Sequence, residues 1–187
     1  MFVTFRLHDS LPPNRVFPSK DLSSGEVFAA MDKLVDDART GPLFLMQANV
    51  ANEVLTSIEH GAQLGHYEVH AWVIMPNHVH LLITPLVSGS RLLGSLKSSS
   101  AKRANVLLGR TGRPFWQDES YDHLVRNDEE FGRIRRYIEN NPVKAGLSVN
   151  PEDYLWSSGG RPERPPQAEG PPHPSSQAGM LSRGLAE

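Results

Sequence analysis

Residues 72–85 read WVIMPNHVHLLITP. Two β-rich runs meet at Pro76-Asn77, a pair that favours a tight turn, so YEVHAWVIM and HVHLLIT are predicted to be adjacent strands. The second run is almost wholly apolar yet holds His78 and His80, one residue apart. Side chains alternate across a strand, so these two point to one face while Val79, Leu81 and Ile83 point to the other, where they can enter a core. A buried neutral imidazole needs a partner for each ring nitrogen, and two on one face are costly unless something binds them. Alternate residues lie roughly 6.5–7 Å apart along a strand, a spacing from which two imidazoles can lean toward one cation. A bare His-x-His pair is more often a partly exposed strand face, so the motif needs support from elsewhere in the chain.

Outward from this hairpin, hydropathy periodicity supplies the other elements. FVTFRL alternates as a short N-terminal strand. Ser24 can cap a helix with Val27, Phe28, Met31, Leu34 and Val35 on one face, which ARTGP ends. A second helix presents Met46, Val50, Ala51, Val54, Leu55 and Ile58 on one face and stops among the glycines at 61 and 65. A third, about 88–108, turns Leu92, Leu93, Leu96, Leu107 and Leu108 inward, with Gly109 placed to end it. YDHLVR reads as a short fourth strand, and DEEFGRIRRYIENN as a helix that Pro142 halts. The order is a split βαβ pattern with an added C-terminal helix. It predicts an α+β, ferredoxin-like antiparallel sheet with helices on one face. From Gly159 onward Pro, Gly, Ser and Ala dominate and large apolar residues are nearly absent, which predicts one folded domain over 1–158 and a disordered tail over 159–187.

Composition narrows the chemistry. The chain has no Cys, which excludes disulfides, thiolate metal sites and Cys nucleophiles, so any metal must use N and O ligands. MFVTFRLHDS has no basic-then-apolar leader pattern, and no run of ~18 apolar residues occurs; the expectation is a soluble, cytoplasmic protein. The formal net charge of -2 hides an asymmetry: residues 85–147 carry 11 basic and 7 acidic side chains, residues 1–84 carry 5 and 9. The basic segment includes Arg103, Arg113, Arg133, Arg135, Arg136 and Lys144, candidates for a phosphate-binding face.

Near the end of the last helix Tyr137 and Asn141 are four residues apart, so their side chains stack along one flank of the core stripe Phe131, Ile134 and Ile138. Two imidazoles and one amide oxygen leave open positions on a divalent cation, which could hold a phosphodiester oxygen and stabilise charge on the leaving oxygen. Tyrosine forms a stable phosphoester once activated. The combination points to nucleotidyl transfer through a covalent enzyme intermediate. Tyr121, followed by His123 in the fourth strand, is the rival nucleophile. Trp72, Trp116 and Trp156 read as packing residues, with Trp116 a candidate to stack on a base; His70 reads as a strand residue rather than a fourth ligand. Two other functions stay open: a catalytically inactive binder of single-stranded nucleic acid on the same scaffold, and a metal hydrolase using the His pair, which lacks an obvious third His or carboxylate at short spacing.

PNHVHLL (76–82) resembles the HUH motif, His–bulky apolar–His. RRYIENNPVKAGL (135–147), preceded by PFWQDESYDHLVRNDEEF and followed by PEDYLWSS, resembles the C-terminal pattern of single-tyrosine HUH transposases, with the REP-associated tyrosine transposases as the nearest branch. The resemblance covers about residues 1–158. It implies a monomeric or dimeric enzyme that uses Mg²⁺ or Mn²⁺ and cuts single-stranded DNA beside hairpins (REP-like palindromes). Such an enzyme leaves a 5′-phosphotyrosine and a free 3′-OH, and can rejoin strands. It further implies His78 and His80 as metal ligands, Asn141 as the third, and Tyr137 as nucleophile on a helix that hinges before Asn-Pro. Position 141 is Asn where Gln is frequent in the wider family, which gives the third ligand a shorter reach.

Overall fold

The computed structural model describes residues 1–11 and 41–160; the helix expected from Ser24 and the expected tail beyond 160 lie outside the described residues. β1 (Phe2–Leu7), β2 (Tyr67–Ile74), β3 (His78–Pro85) and β4 (Trp116–His123) form one sheet in the order β2-β3-β1-β4, every pair antiparallel. Of the two central strands, β3 is the one buried continuously on both faces. Six consecutive residues of β3, His78 to Ile83, are buried, because helices cover both sides of the sheet.

On one face pack α1 (Ala48–Gln63) and α2 (Gly89–Leu107). Val50, Val54, Leu55 and Ile58 of α1 and Leu92, Leu96 and Ala104 of α2 meet Val3, Phe5, Leu7, Val79, Leu81 and Ile83 of the sheet. The stripe expected for α1 begins later than the sequence pattern suggests. Met46 sits in a 3-10 turn, Phe44–Met46, and is exposed, while Leu45 turns inward in its place. Leu107, the last residue of α2, is also exposed. Gly61 is needed where Tyr67 passes under α1 to donate to the Ile58 carbonyl (2.8 Å); a Cβ there would run into the Tyr67 hydroxyl.

α3 (Asp128–Lys144) takes the opposite face, the main departure from a sheet with helices on one side. Its Ile138 is fully buried against Phe2, Ala71, Val73, Met75 and Leu82, with Phe131, Ile134 and Tyr137 around it. Asn127 Oδ1 caps the helix by accepting from the Glu130 amide (2.9 Å), and Asp128, Glu129 and Glu130 complement the helix dipole in the first turn. Pro142 does not halt it. Proline takes away the amide that would meet the Ile138 carbonyl, but helical bonding resumes with Ala145 N–H to Asn141 O (3.0 Å). The stop is Gly146 at φ 69°. Gly146 N–H donates to Val143 O and Leu147 N–H to Pro142 O, the paired bonds of a Schellman ending.

β4 starts at Trp116, five residues before the strand read from YDHLVR, and stops at His123. It is an edge strand with polar, largely exposed side chains in Asp118 and Glu119, so its early part lacks the apolar alternation that marks a strand. Trp116 is buried in the α1/α2-side core, edge-on to Phe5 and Phe115, with Nε1 donating to Ser100 Oγ (2.9 Å). It is therefore not available to stack on a base. Trp72 and Trp156 are partly buried against the same core.

Candidate active site

The α3-side face of the sheet carries Phe2 and Thr4 of β1, His78 and His80 of β3 and Tyr121 of β4, with Thr4 paired across to both His80 and Tyr121. Both imidazoles are fully buried, and their Nε2 atoms approach to 3.0 Å. Each ring is held from behind. His78 Nδ1 meets Asn77 Oδ1 at 2.7 Å. A carbonyl oxygen only accepts, so Nδ1 carries the proton and the Nε2 lone pair faces the site. His80 Nδ1 meets Thr4 Oγ1 at 2.7 Å. A hydroxyl can donate or accept. When Thr4 donates, His80 Nε2–H can bond to His78; when Thr4 accepts, both Nε2 lone pairs point into the site. Burial, then the neighbouring His80, holds His78 well below the usual imidazole range, so it is neutral at physiological pH. Asn77 and Thr4 escape a reading of the motif alone. Asn77 passes for a turn residue, and Thr4 is joined to His80 only by strand register.

α3 closes this face from above. The Tyr137 ring lies 5.6 Å from that of His80 and 6.3 Å from Phe2, nearly perpendicular to it. Asn141 Nδ2 donates to the Tyr137 hydroxyl at 3.1 Å, so the (i, i+4) pair read from the sequence is a direct contact. Asn141 is fully buried, and no donor among the described residues meets its Oδ1.

The donor set fits a cation. Two ligands ~2.1 Å from an octahedral ion at right angles are about 3 Å apart, the separation of the two Nε2 atoms. Among the described residues no group of three or more His, Cys, Asp or Glu could hold a metal; a third protein donor here would be of another kind, such as an amide oxygen. The buried, unpartnered Oδ1 of Asn141 is the available one. Two imidazoles and an amide oxygen suit a cation that accepts mixed N and O donors and keeps open positions.

Lys144 Nζ sits 4.8 Å from the centre of the Tyr137 ring, and Arg133, Arg136, Asn140 and Lys144 line a groove of about 370 Å³ beside that ring. The other basic candidates are not brought here. Arg103 is on α2, across the sheet, with its guanidinium on Ser57 Oγ (2.8 Å) and Glu53 (3.3 Å). Arg113 lies in the turn before β4. Arg135 is on α3 but pairs with Glu139 at 2.9 Å. Tyr121 lies two strands from His80 with Phe2 alongside it, and its phenol is raised by burial and then by Asp122 and Glu130, which disfavours the phenolate. His70 is turned to Thr84 (2.7 Å) and Phe131.

The sequence profile of the family described as "Transposase IS200 like" matches residues 44–141, just over half of the chain. The chain belongs to that family. Within this IS200-like transposase the matched span runs from the turn before α1 to Asn141, so it includes both histidines and Tyr137, while Phe2 and Thr4 come from the strand that precedes it. The REP-associated tyrosine transposase of Escherichia coli (strain K12) is 29% identical over 92 residues, covering 49% of this chain and 54% of the relative. The match thus spans about half the length of that curated relative. A solved structure titled as the REP-associated tyrosine transposase bound to a REP hairpin is similar in fold, with a TM-score of 0.51 at 21% identity over 83% of this chain and 73% of that one. No helix among the described residues is long and apolar enough to cross a membrane.

Proposed function

We propose that this IS200-like transposase cuts and rejoins single-stranded DNA beside hairpins through a covalent link to Tyr137. One observation carries the reading: Asn141 holds the Tyr137 hydroxyl with one arm of its amide and has its other arm buried and unpartnered on the face that carries the His78–His80 pair. Family membership and the solved relative's REP hairpin support DNA as the substrate.

His78, His80 and Asn141 would hold Mg²⁺ or Mn²⁺, which supplies Lewis-acid polarisation of a phosphodiester and charge stabilisation at the departing oxygen. Tyr137 attacks phosphorus. The bond to the 3′ oxygen breaks, the phenol proton is passed on to that oxygen, and a 5′-phosphotyrosine and a free 3′-OH result. The reverse attack by a 3′-OH rejoins a strand and releases the phenol. Asn141 orients the nucleophile and Phe2 backs its ring, so the oxygen is held on the His80 side of α3. Arg133, Arg136 and Lys144 hold the DNA backbone next to it. An enzyme of this kind works with the nucleoid of the cytoplasm, as a monomer or homodimer.

The test is to incubate the protein with labelled hairpin-flanked single strands, with Mn²⁺ or with EDTA, and resolve the products on a denaturing gel. Wild type forms a covalent adduct with Mn²⁺ only, and Tyr137→Phe forms none while still binding the hairpin. An adduct on the Phe variant would overturn the assignment.

A further inference from the structure

Beside Tyr137, on the side away from the basic groove, the surface dips into a second cavity of about 230 Å³. Phe2, almost completely buried, is its floor. Tyr121 and Tyr137 stand steeply to that floor, at 67° and 85°, each with its ring 6.3 Å from that of Phe2. The far end is polar. His123 Nε2 meets Glu130 Oε1 at 2.9 Å, and Glu130 Oε2 accepts from the Arg126 amide at 2.8 Å. Arg133, which also reaches Glu129 at 3.3 Å, is shared between this cavity and the basic groove.

Aromatic walls, a polar edge and a cation at the mouth describe a receptor for a flat heteroaromatic ring on a phosphate chain. The volume is below the ~300 Å³ of a drug-sized site, so it admits one ring system and excludes a base pair. Tyr137 is a wall of the cavity and, in the function proposed above, the group that meets the cleaved phosphate. A base entering there is therefore a near neighbour of that phosphate.

We propose that this cavity receives the unpaired nucleobase adjoining the phosphate attacked by Tyr137, stacked on Tyr121 with its polar edge toward the His123–Glu130 pair. Tyr121 is then a substrate-positioning residue. It places the strand at the nucleophile by stacking, without forming the bond. The inference rests on the proposed function for its choice of ligand.

The experiment is a double-mutant cycle between protein and DNA. Binding of a hairpin-flanked single strand is measured for wild type, Tyr121→Leu and Tyr121→Phe, with the intact strand and with strands made abasic at each nucleotide flanking the cut. Tyr121→Leu is expected to weaken the intact strand about tenfold, as loss of one base–aromatic stack does, and Tyr121→Phe to bind as wild type. At one abasic position, wild type and Tyr121→Leu should bind alike. Additive losses at every position, or a Phe variant as weak as Leu, would overturn the inference. Adduct formation by wild type, read on the same strands, separates the two readings: adducts with additive losses sink only the base cavity, while absence of any adduct sinks the proposed function.

Discussion

The amide of Asn141 is divided between two tasks: its Nδ2 donates to the Tyr137 hydroxyl at 3.1 Å, and its buried Oδ1 is met by no donor among the described residues. A buried amide oxygen left unbonded costs about 1–3 kcal/mol, a cost that a cation would remove. Asn141→Ala is therefore expected to lower Mn²⁺ affinity about tenfold or more, measured by titration calorimetry, while Asn141→Asp, of the same shape with an anionic oxygen, retains binding. An Ala variant that binds Mn²⁺ like wild type would remove Asn141 from the ligand set.

Thr4 decides whether the His80 lone pair at Nε2 is free. Thr4→Val keeps the shape and removes the hydroxyl, so metal affinity should fall roughly 10–100-fold, as for other groups that orient a ligating histidine. Circular dichroism and thermal unfolding should show an intact fold. Unchanged affinity would mean that His80 needs no help from β1.

His78 makes acid stability a test of its burial. Its folded-state pKa lies well below the usual value, from burial first and His80 second. Unfolded, it titrates near ~6.5. Between those values the unfolded chain binds the extra proton, so stability is unaffected by His78 above ~6.5 and declines as pH falls below it, by up to ~1.4 kcal/mol per pH unit. Urea unfolding in EDTA at about pH 7.5 and about pH 5.5 should show a smaller acid loss for His78→Gln than for wild type. Equal losses would contradict a neutral, desolvated imidazole.

Salt dependence separates the basic residues by face. On single strands each phosphate contact contributes about 0.7 to the slope of log K against log salt. Lys144→Gln or Arg136→Gln, beside the Tyr137 groove, should each flatten that slope by about this amount. Arg103→Gln, across the sheet on Glu53 and Ser57, should leave the slope alone and cost only stability.

Ile138 is the anchor of α3 on the sheet. Truncation to Ala should cost about 2–5 kcal/mol in urea unfolding, and it should depress cleavage even where the protein is still folded, because Tyr137 sits on the neighbouring residue. Full cleavage by a folded Ile138→Ala protein would show that the seat of the helix does not control the nucleophile.

Local patterns carried much of this molecule. Strand alternation placed His78 and His80 on one face and Val79, Leu81 and Ile83 on the other, and helical spacing brought Tyr137 and Asn141 together, since both depend only on backbone periods of 2 and 3.6. What those periods do not encode is which face of the sheet a later element covers. That α3 lies over the imidazoles, away from α1 and α2, was settled by where its stripe of Phe131, Ile134 and Ile138 finds apolar partners in Phe2, Val73 and Leu82. The same docking buries both histidines and leaves Arg103 on the other side of the sheet, while the pairing of β1 with β3 joins Thr4 to His80 across 76 residues of sequence. Pro142 stays inside a helix that Gly146 ends: it gives up the amide that would meet the Ile138 carbonyl, but the bonds after it close and its ring is buried.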